Sequence, residues 1–129
     1  MIFDLVKPIL GFEAVKHVEF NESDDLFATL ADTEKSGLVW TLVNPYHLRE
    51  YSFDITPDVQ TLLGITEKSS VLVYAILALG KATDDSVINF LAPVVFNKDN
   101  GKAAQIVLDS KQHPDFQVAH KLTDFLTDK

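Results

Sequence analysis

The sequence contains no cysteine, which excludes disulfides, thiolate metal sites and a thiol nucleophile, and suits a reducing compartment. Basic residues are scarce. Eleven Lys and Arg stand against nineteen Asp and Glu, a formal net charge of −8, and Arg49 is the single arginine. Nucleic-acid binders neutralise phosphates with clustered Lys and Arg; the lysines here are scattered without aromatic interleaving, so direct nucleic-acid binding is not expected. The five glycines are isolated, leaving no GxGxxG fingerprint and no phosphate loop. Long apolar runs are missing as well. The longest runs from Val71 to Leu79, whereas a membrane helix needs about twenty residues. The start, Met1-Ile2-Phe3-Asp4-Leu5-Val6-Lys7, lacks the basic opening of a secretory leader. No membrane association is expected, and the expected compartment is the cytoplasm.

Catalytic constellations are also lacking. The histidines His17, His47, His113 and His120 fall in no metal-ligand spacing such as HExxH, and there is no GxSxG elbow. Acid pairs occur at Asp24-Asp25 and Asp84-Asp85, but both sit in loop-like stretches and read as solvated turns. A hydrolase or isomerase would have to rest on those pairs. No enzyme, cofactor or metal is therefore expected.

What is present is apolar. The 129 residues are 47% hydrophobic with nine phenylalanines, enough for one domain spanning 1–129 that buries roughly two-thirds of its unfolded surface. The organisation predicts short strands with turn signals between them. Ile2 to Lys7 is a strand stopped by Pro8, and Val15 to Phe20 alternates after the Gly11-Phe12-Glu13 turn. Asn21 to Asp25 is an acidic loop. Leu26 to Leu30 and Leu38 to Val43 are further strands, the latter ending at Asn44-Pro45. Tyr51, Phe53 and Ile55 share one face of another expected strand. Thr56-Pro57 opens a short helix that runs to Leu63 and stops at Gly64.

Val71 to Leu79 is apolar on both faces, and its length, its Val, Tyr and Ile content and the Gly80 stop favour a covered central strand over the competing helix. Val87 to Phe96 is a strand in which Pro93 requires an edge position or a bulge. Asn100-Gly101 signals a hairpin returning through Ala104 to Asp109. Val118, Leu122, Phe125 and Leu126 then fall at helical spacing, predicting an amphipathic C-terminal helix over 117–129. So short a helix is stable only when docked, on its own domain or on a partner. The fold class is mainly β: a small antiparallel β-barrel-like domain with a short internal helix and a C-terminal helix.

Segments from 8 to 109 carry a family resemblance. They are Pro8-Ile9-Leu10-Gly11-Phe12-Glu13, Val43-Asn44-Pro45-Tyr46, Tyr51-Ser52-Phe53-Asp54, Leu62-Leu63-Gly64-Ile65 and Gln105-Ile106-Val107-Leu108. The most specific is Val87-Ile88-Asn89-Phe90-Leu91-Ala92-Pro93-Val94-Val95-Phe96-Asn97. In this order and spacing they resemble the bacterial flagellar assembly factor family FliW. The chain departs from it at Leu30-Ala31-Asp32, where many relatives have Leu-Gln-Ser. The resemblance implies a compact antiparallel β-barrel-like fold and a partner-switching function. FliW-like proteins bind newly made flagellin, and they bind CsrA, a basic dimeric RNA-binding repressor, away from its RNA site. Accumulated flagellin captures the factor, CsrA is released, and flagellin synthesis stops.

Partner contacts are expected around Asn44, Pro45 and Tyr46 and along the strand holding Asn89, Phe90, Pro93 and Asn97, because an irregular or edge strand leaves backbone groups open to a partner. The competing assignment makes Asn44 and Asn97 turn caps and Phe90, Leu91 and Val95 core. A rival function is a small cytosolic β-barrel that binds a small apolar ligand in its mouth.

Overall fold

Alternation decides which side of each strand faces inward. In β2 (His17–Glu22) Val18 and Phe20 are buried, and in β3 (Phe27–Asp32) Ala28 and Leu30 are. The computed structural model describes residues 1–34, 36–78, 86–116 and 119–125. The expected Gly80 stop, the Asp84-Asp85 pair and the expected helical residues 117, 118 and 126–129 lie outside them.

β1 (Ile2–Lys7), β2, β3, β4 (Val39–Val43) and β5 (Val71–Ala78) pair in sequence order, all antiparallel. β6 (Val87–Asn97) pairs with β5 on one side and β7 (Lys102–Gln105) on the other. β7 then meets β1 in parallel and completes a barrel-like ring of strands. Closure leaves β1 to β7 no long free edge, which is how small β domains avoid edge-to-edge aggregation.

β6 is the irregular member. Tyr74 pairs with Val94 but Ile76 pairs with Asn89, so the four residues from Phe90 to Pro93 stand opposite Ala75 alone and bulge out of the ladder. Pro93 supplies no amide proton and is tolerated at such a bulge. Of the two expected settings for this proline, the bulge is the one observed. The interior packs phenyl rings edge to face: Phe3 and Phe96 at 5.0 Å, Phe20 and Tyr74 at 5.2 Å. A second apolar cluster gathers Tyr51, Phe90, Phe116 and Leu122. Helix α1 (Pro57–Leu63) covers a third, laying Val59 and Leu63 over Val95, Ala104 and Ile106. Pro57 begins α1, and Gly64 ends it at φ 66°, with the Gly64 and Ile65 amides donating back into the last turn.

Three expected elements differ. The return strand expected from Ala104 to Asp109 is shorter, because β7 ends at Gln105. Tyr51 to Ile55 forms no strand. Its alternation is real, with Tyr51 buried and Phe53 and Ile55 half-buried, but β4, β5 and β6 already satisfy one another's ladders. At the C-terminus the described residues are not helical. His120–Lys121 form a two-residue strand, β8, on Val87 and Ile88, and Leu122–Asp124 make a 3-10 turn. Leu122 and Phe125, the two described apolar side chains of that expected helix, dock on the chain's own body: Leu122 is buried, and the Phe125 ring lies 5.5 Å from Phe90.

Two tyrosines report on this packing. Burial pushes the Tyr51 phenol well above its ordinary 10.0, and burial with the Glu22 carboxylate raises Tyr74 to about 12. A pKa higher in the folded than in the unfolded chain gives stability that is complete below pH 10 and lost as pH climbs through the folded values. The thermal midpoint should therefore fall once pH exceeds 10, and Tyr74→Phe should remove part of that fall. A midpoint equally steep in the Tyr74→Phe variant would contradict the assignment.

Candidate protein-interaction site

The residues expected to meet a partner fall into two groups. Asn44 is half-buried, and its Oδ1 accepts from the Tyr46 amide at 3.0 Å, capping a 3-10 turn at Pro45–His47. Pro45 is buried, while Tyr46 is 50% exposed and packs its ring edge on Tyr51 at 5.6 Å. Along β6 the outcome is different. Phe90, Pro93 and Asn97 are buried, and half-buried Asn89 turns its Oδ1 onto the Leu91 amide at 3.0 Å.

Nor is the β6 backbone open, as the reading of Pro93 as an edge marker required. Carbonyls 90 to 93 each accept a hydrogen bond: Phe90 from the Tyr51 hydroxyl at 2.7 Å, Leu91 from the Leu108 amide at 2.7 Å, Ala92 from Gln105 Nε2 at 3.0 Å, and Pro93 from the Ile106 amide at 2.9 Å. A bulge inside a closed ring leaves its polar groups buried, and buried polar groups must find partners.

Four side chains supply what the ladder cannot. Gln105 Nε2 donates to Ala92 O while its Oε1 accepts from the Leu10 amide at 2.7 Å, tying the turn after β1 to the bulge. Tyr51 ties its unladdered segment to Phe90. Asn97 Nδ2 donates to Leu63 O at 2.9 Å and Gly64 O at 3.3 Å, and Asn100 Nδ2 donates to the same Leu63 carbonyl at 2.8 Å. Asn97 is thus a clamp on the end of α1.

The turn held by Gln105 builds an open apolar groove of about 440 Å³ against β4, β5 and the start of the bulge. Leu10, Phe12, Val39, Trp40 and Ile76 line it, with Asn89 and Gln105 contributing its amides and no ionisable side chain on its walls. Phe12 and Trp40 meet edge to face at 5.3 Å. Leu10 and Val39 are 59% and 62% exposed. A signal for this site was present in the sequence: Leu10 and Phe12 flank Gly11, and turn positions are ordinarily polar.

The chain as a whole is acidic, with a formal net charge of −8. Asp24 Oδ1 accepts from the Phe27 and Leu26 amides at 2.7 and 2.9 Å, which holds its carboxyl below the ordinary range. The Ser36 hydroxyl and the Glu34 amide do the same for Asp32. Among the described residues no cluster of His, Asp and Glu could hold a metal ion, and no helix is long and apolar enough to cross a membrane. Such a surface can bind an apolar segment but holds no acid–base pair that could transform one.

Gln105→Ala should leave Leu10 N and Ala92 O without partners and lower stability by about 1–3 kcal/mol, read as a shifted urea midpoint. An unchanged midpoint would mean that the bridge carries no load.

Comparison with known proteins agrees with this architecture. The family model described as FliW protein matches residues 1–122. The chain is 44% identical over 126 residues to flagellar assembly factor FliW 1 of Wolinella succinogenes, covering 98% of both chains. It is 42% identical over 126 residues to FliW of Sulfurimonas denitrificans, again covering 98% of both. With FliW of Helicobacter pylori strain G27 it shares 43% over 128 residues, 98% of this chain and 95% of that one. A crystal structure of the flagellar assembly factor FliW superposes with a TM-score of 0.83 at 24% identity, covering 94% of this chain and 84% of the other, and supports the fold. On the match over 1–122 and the identities along nearly its whole length, the chain belongs to the FliW family of flagellar assembly factors.

Proposed function

We propose that this protein binds flagellin and CsrA in alternation in the cytoplasm and so couples flagellin synthesis to its export. A role in flagellar assembly, as a regulatory or chaperone-like protein and not an enzyme, comes with the family. The choice of partners rests on the chemistry of the surface. The observation that carries it is the exposed apolar groove on an acidic body. Flagellin presents apolar helices, and an amphipathic helix lays its apolar face into such a groove. A basic RNA-binding protein is drawn to a chain of net charge −8, which raises its encounter rate and repels competing RNA.

Flagellin is assigned to the groove at Leu10, Phe12 and Val39; CsrA is assigned to the acidic body. Tyr46 lies outside the groove lining and remains a candidate contact for either partner. Asn44 and Pro45 shape the turn that presents Tyr46, while Asn89, Phe90, Pro93 and Asn97 act by shaping the surface. Exchange requires complexes of comparable strength, since a ligand shifts an equilibrium only by its differential affinity.

The groove volume also favours a second reading, a small apolar ligand, because ligand pockets span about 300–1,000 Å³. Salt separates the two. Binding of a basic protein weakens as ionic strength rises, whereas binding of an apolar molecule hardly changes.

Calorimetric titration with purified flagellin and purified CsrA, singly and in competition, should give saturable binding to each and displacement of CsrA by flagellin. Leu10→Ser and Phe12→Ser should weaken flagellin binding by about tenfold or more, as buried apolar anchors do, with little change in melting temperature. Binding to neither protein would overturn the proposal; binding to flagellin alone would leave an export chaperone.

A further inference from the structure

Asn100-Gly101 is the one Asn-Gly step in the chain. Such a step is chemically labile. The glycine nitrogen attacks the asparagine Cγ, the side-chain nitrogen leaves as ammonia, and the cyclic imide takes up water to give aspartate or isoaspartate. No side chain on glycine hinders the approach. The reaction needs only that the attacking nitrogen be free and that the side-chain carboxamide be able to swing toward it.

Here both ends of the reaction are tied. The Gly101 amide donates to Asn97 O at 3.0 Å, and Gly101 O accepts from the Asp4 amide at 2.8 Å. The Asn100 carboxamide donates through Nδ2 to Leu63 O at 2.8 Å and accepts through Oδ1 from the Lys102 amide at 3.0 Å. Gly64 closes the space behind it: a β-carbon there would lie 2.6 Å from Asn100 Nδ2. Yet Asn100 is exposed, so water reaches it. Nothing protects this step except those hydrogen bonds.

We propose that Asn100 is a deamidation site that the folded chain holds closed, and that its reaction unfastens α1 from the β6–β7 hairpin. An aspartate at 100 places a carboxylate oxygen where a donor met Leu63 O, so attraction becomes repulsion between two acceptors. Isoaspartate in addition lengthens the backbone of a tight turn and draws Gly101 away from Asn97 and Asp4. α1 would then lose a fastening over Val95, Ala104 and Ile106, and β1 its first contact with the start of β7. The modified turn cannot rebuild the same contacts, so the change is a one-way record of time spent open.

The test uses the full-length protein. Samples are aged in mildly alkaline buffer, folded and in urea above the unfolding midpoint, then digested, and aspartate and isoaspartate at position 100 are measured by mass spectrometry. Reaction from an open state alone slows the folded sample in proportion to how rarely the turn opens. The expected difference is tenfold or more, and equal rates in the two samples would overturn the protection. The Asn100→Asp variant, made directly, should show a lower melting temperature and faster amide exchange at Gly64 and Ile65. A variant matching the parent in both would overturn the proposed consequence.

Discussion

The carboxamide of Gln105 spans two backbone groups that no ladder reaches, Leu10 N and Ala92 O, and the ring of strands is completed around that bridge. It is needed because β6 carries extra residues between Asn89 and Val94, and a bulge inside a closed ring has polar groups that water cannot serve. Tyr51 answers the same demand at Phe90 O, and Asn97 meets the related one at the end of α1. An unpaired buried carbonyl costs more than an ordinary hydrogen bond returns. These residues are therefore held to their positions by what their absence would leave behind. They also tie together the segments at 8–13, 51–54, 62–65, 87–97 and 105–108.

Much of the fold was legible because its signals are local. Short apolar runs between turn signals marked β1 to β4, Pro57 and Gly64 bounded α1, Pro93 required an edge or a bulge, and Asn100-Gly101 signalled the hairpin turn. The failures came where a distant partner decides. Alternation from Tyr51 to Ile55 reported correctly which side is buried, but a period of two says nothing about whether a ladder partner is available. At the C-terminus helical spacing lost to a pairing of His120 and Lys121 with Val87 and Ile88, a side of β6 whose availability no local pattern reveals.

The same limit governed the site. Pro93 pointed to an accessible strand, but Phe90, Pro93 and Asn97 are buried and the carbonyls from 90 to 93 are taken by Tyr51, Leu108, Gln105 and Ile106, while half-buried Asn89 lines the groove. The groove draws on the turn after β1, the start of β4 and the end of β5, which meet only once the ring is complete. A division of labour follows. Buried Phe90, Pro93, Asn97 and Gln105 fix the shape, while Leu10, Phe12 and Val39 present apolar surface. Under the proposed function, long-range charge would govern encounter and the apolar groove would govern which segment stays bound.

The claim that the β6 residues are scaffold and the groove is the binding surface can be tested by amide hydrogen exchange, comparing the protein alone and saturated with flagellin. The account predicts slowed exchange from Leu10 to Glu13 and at Val39 to Thr41, with α1 and the Asn97 amide unchanged. Slowed exchange at α1 or the Tyr46 turn, with the groove unaffected, would contradict it.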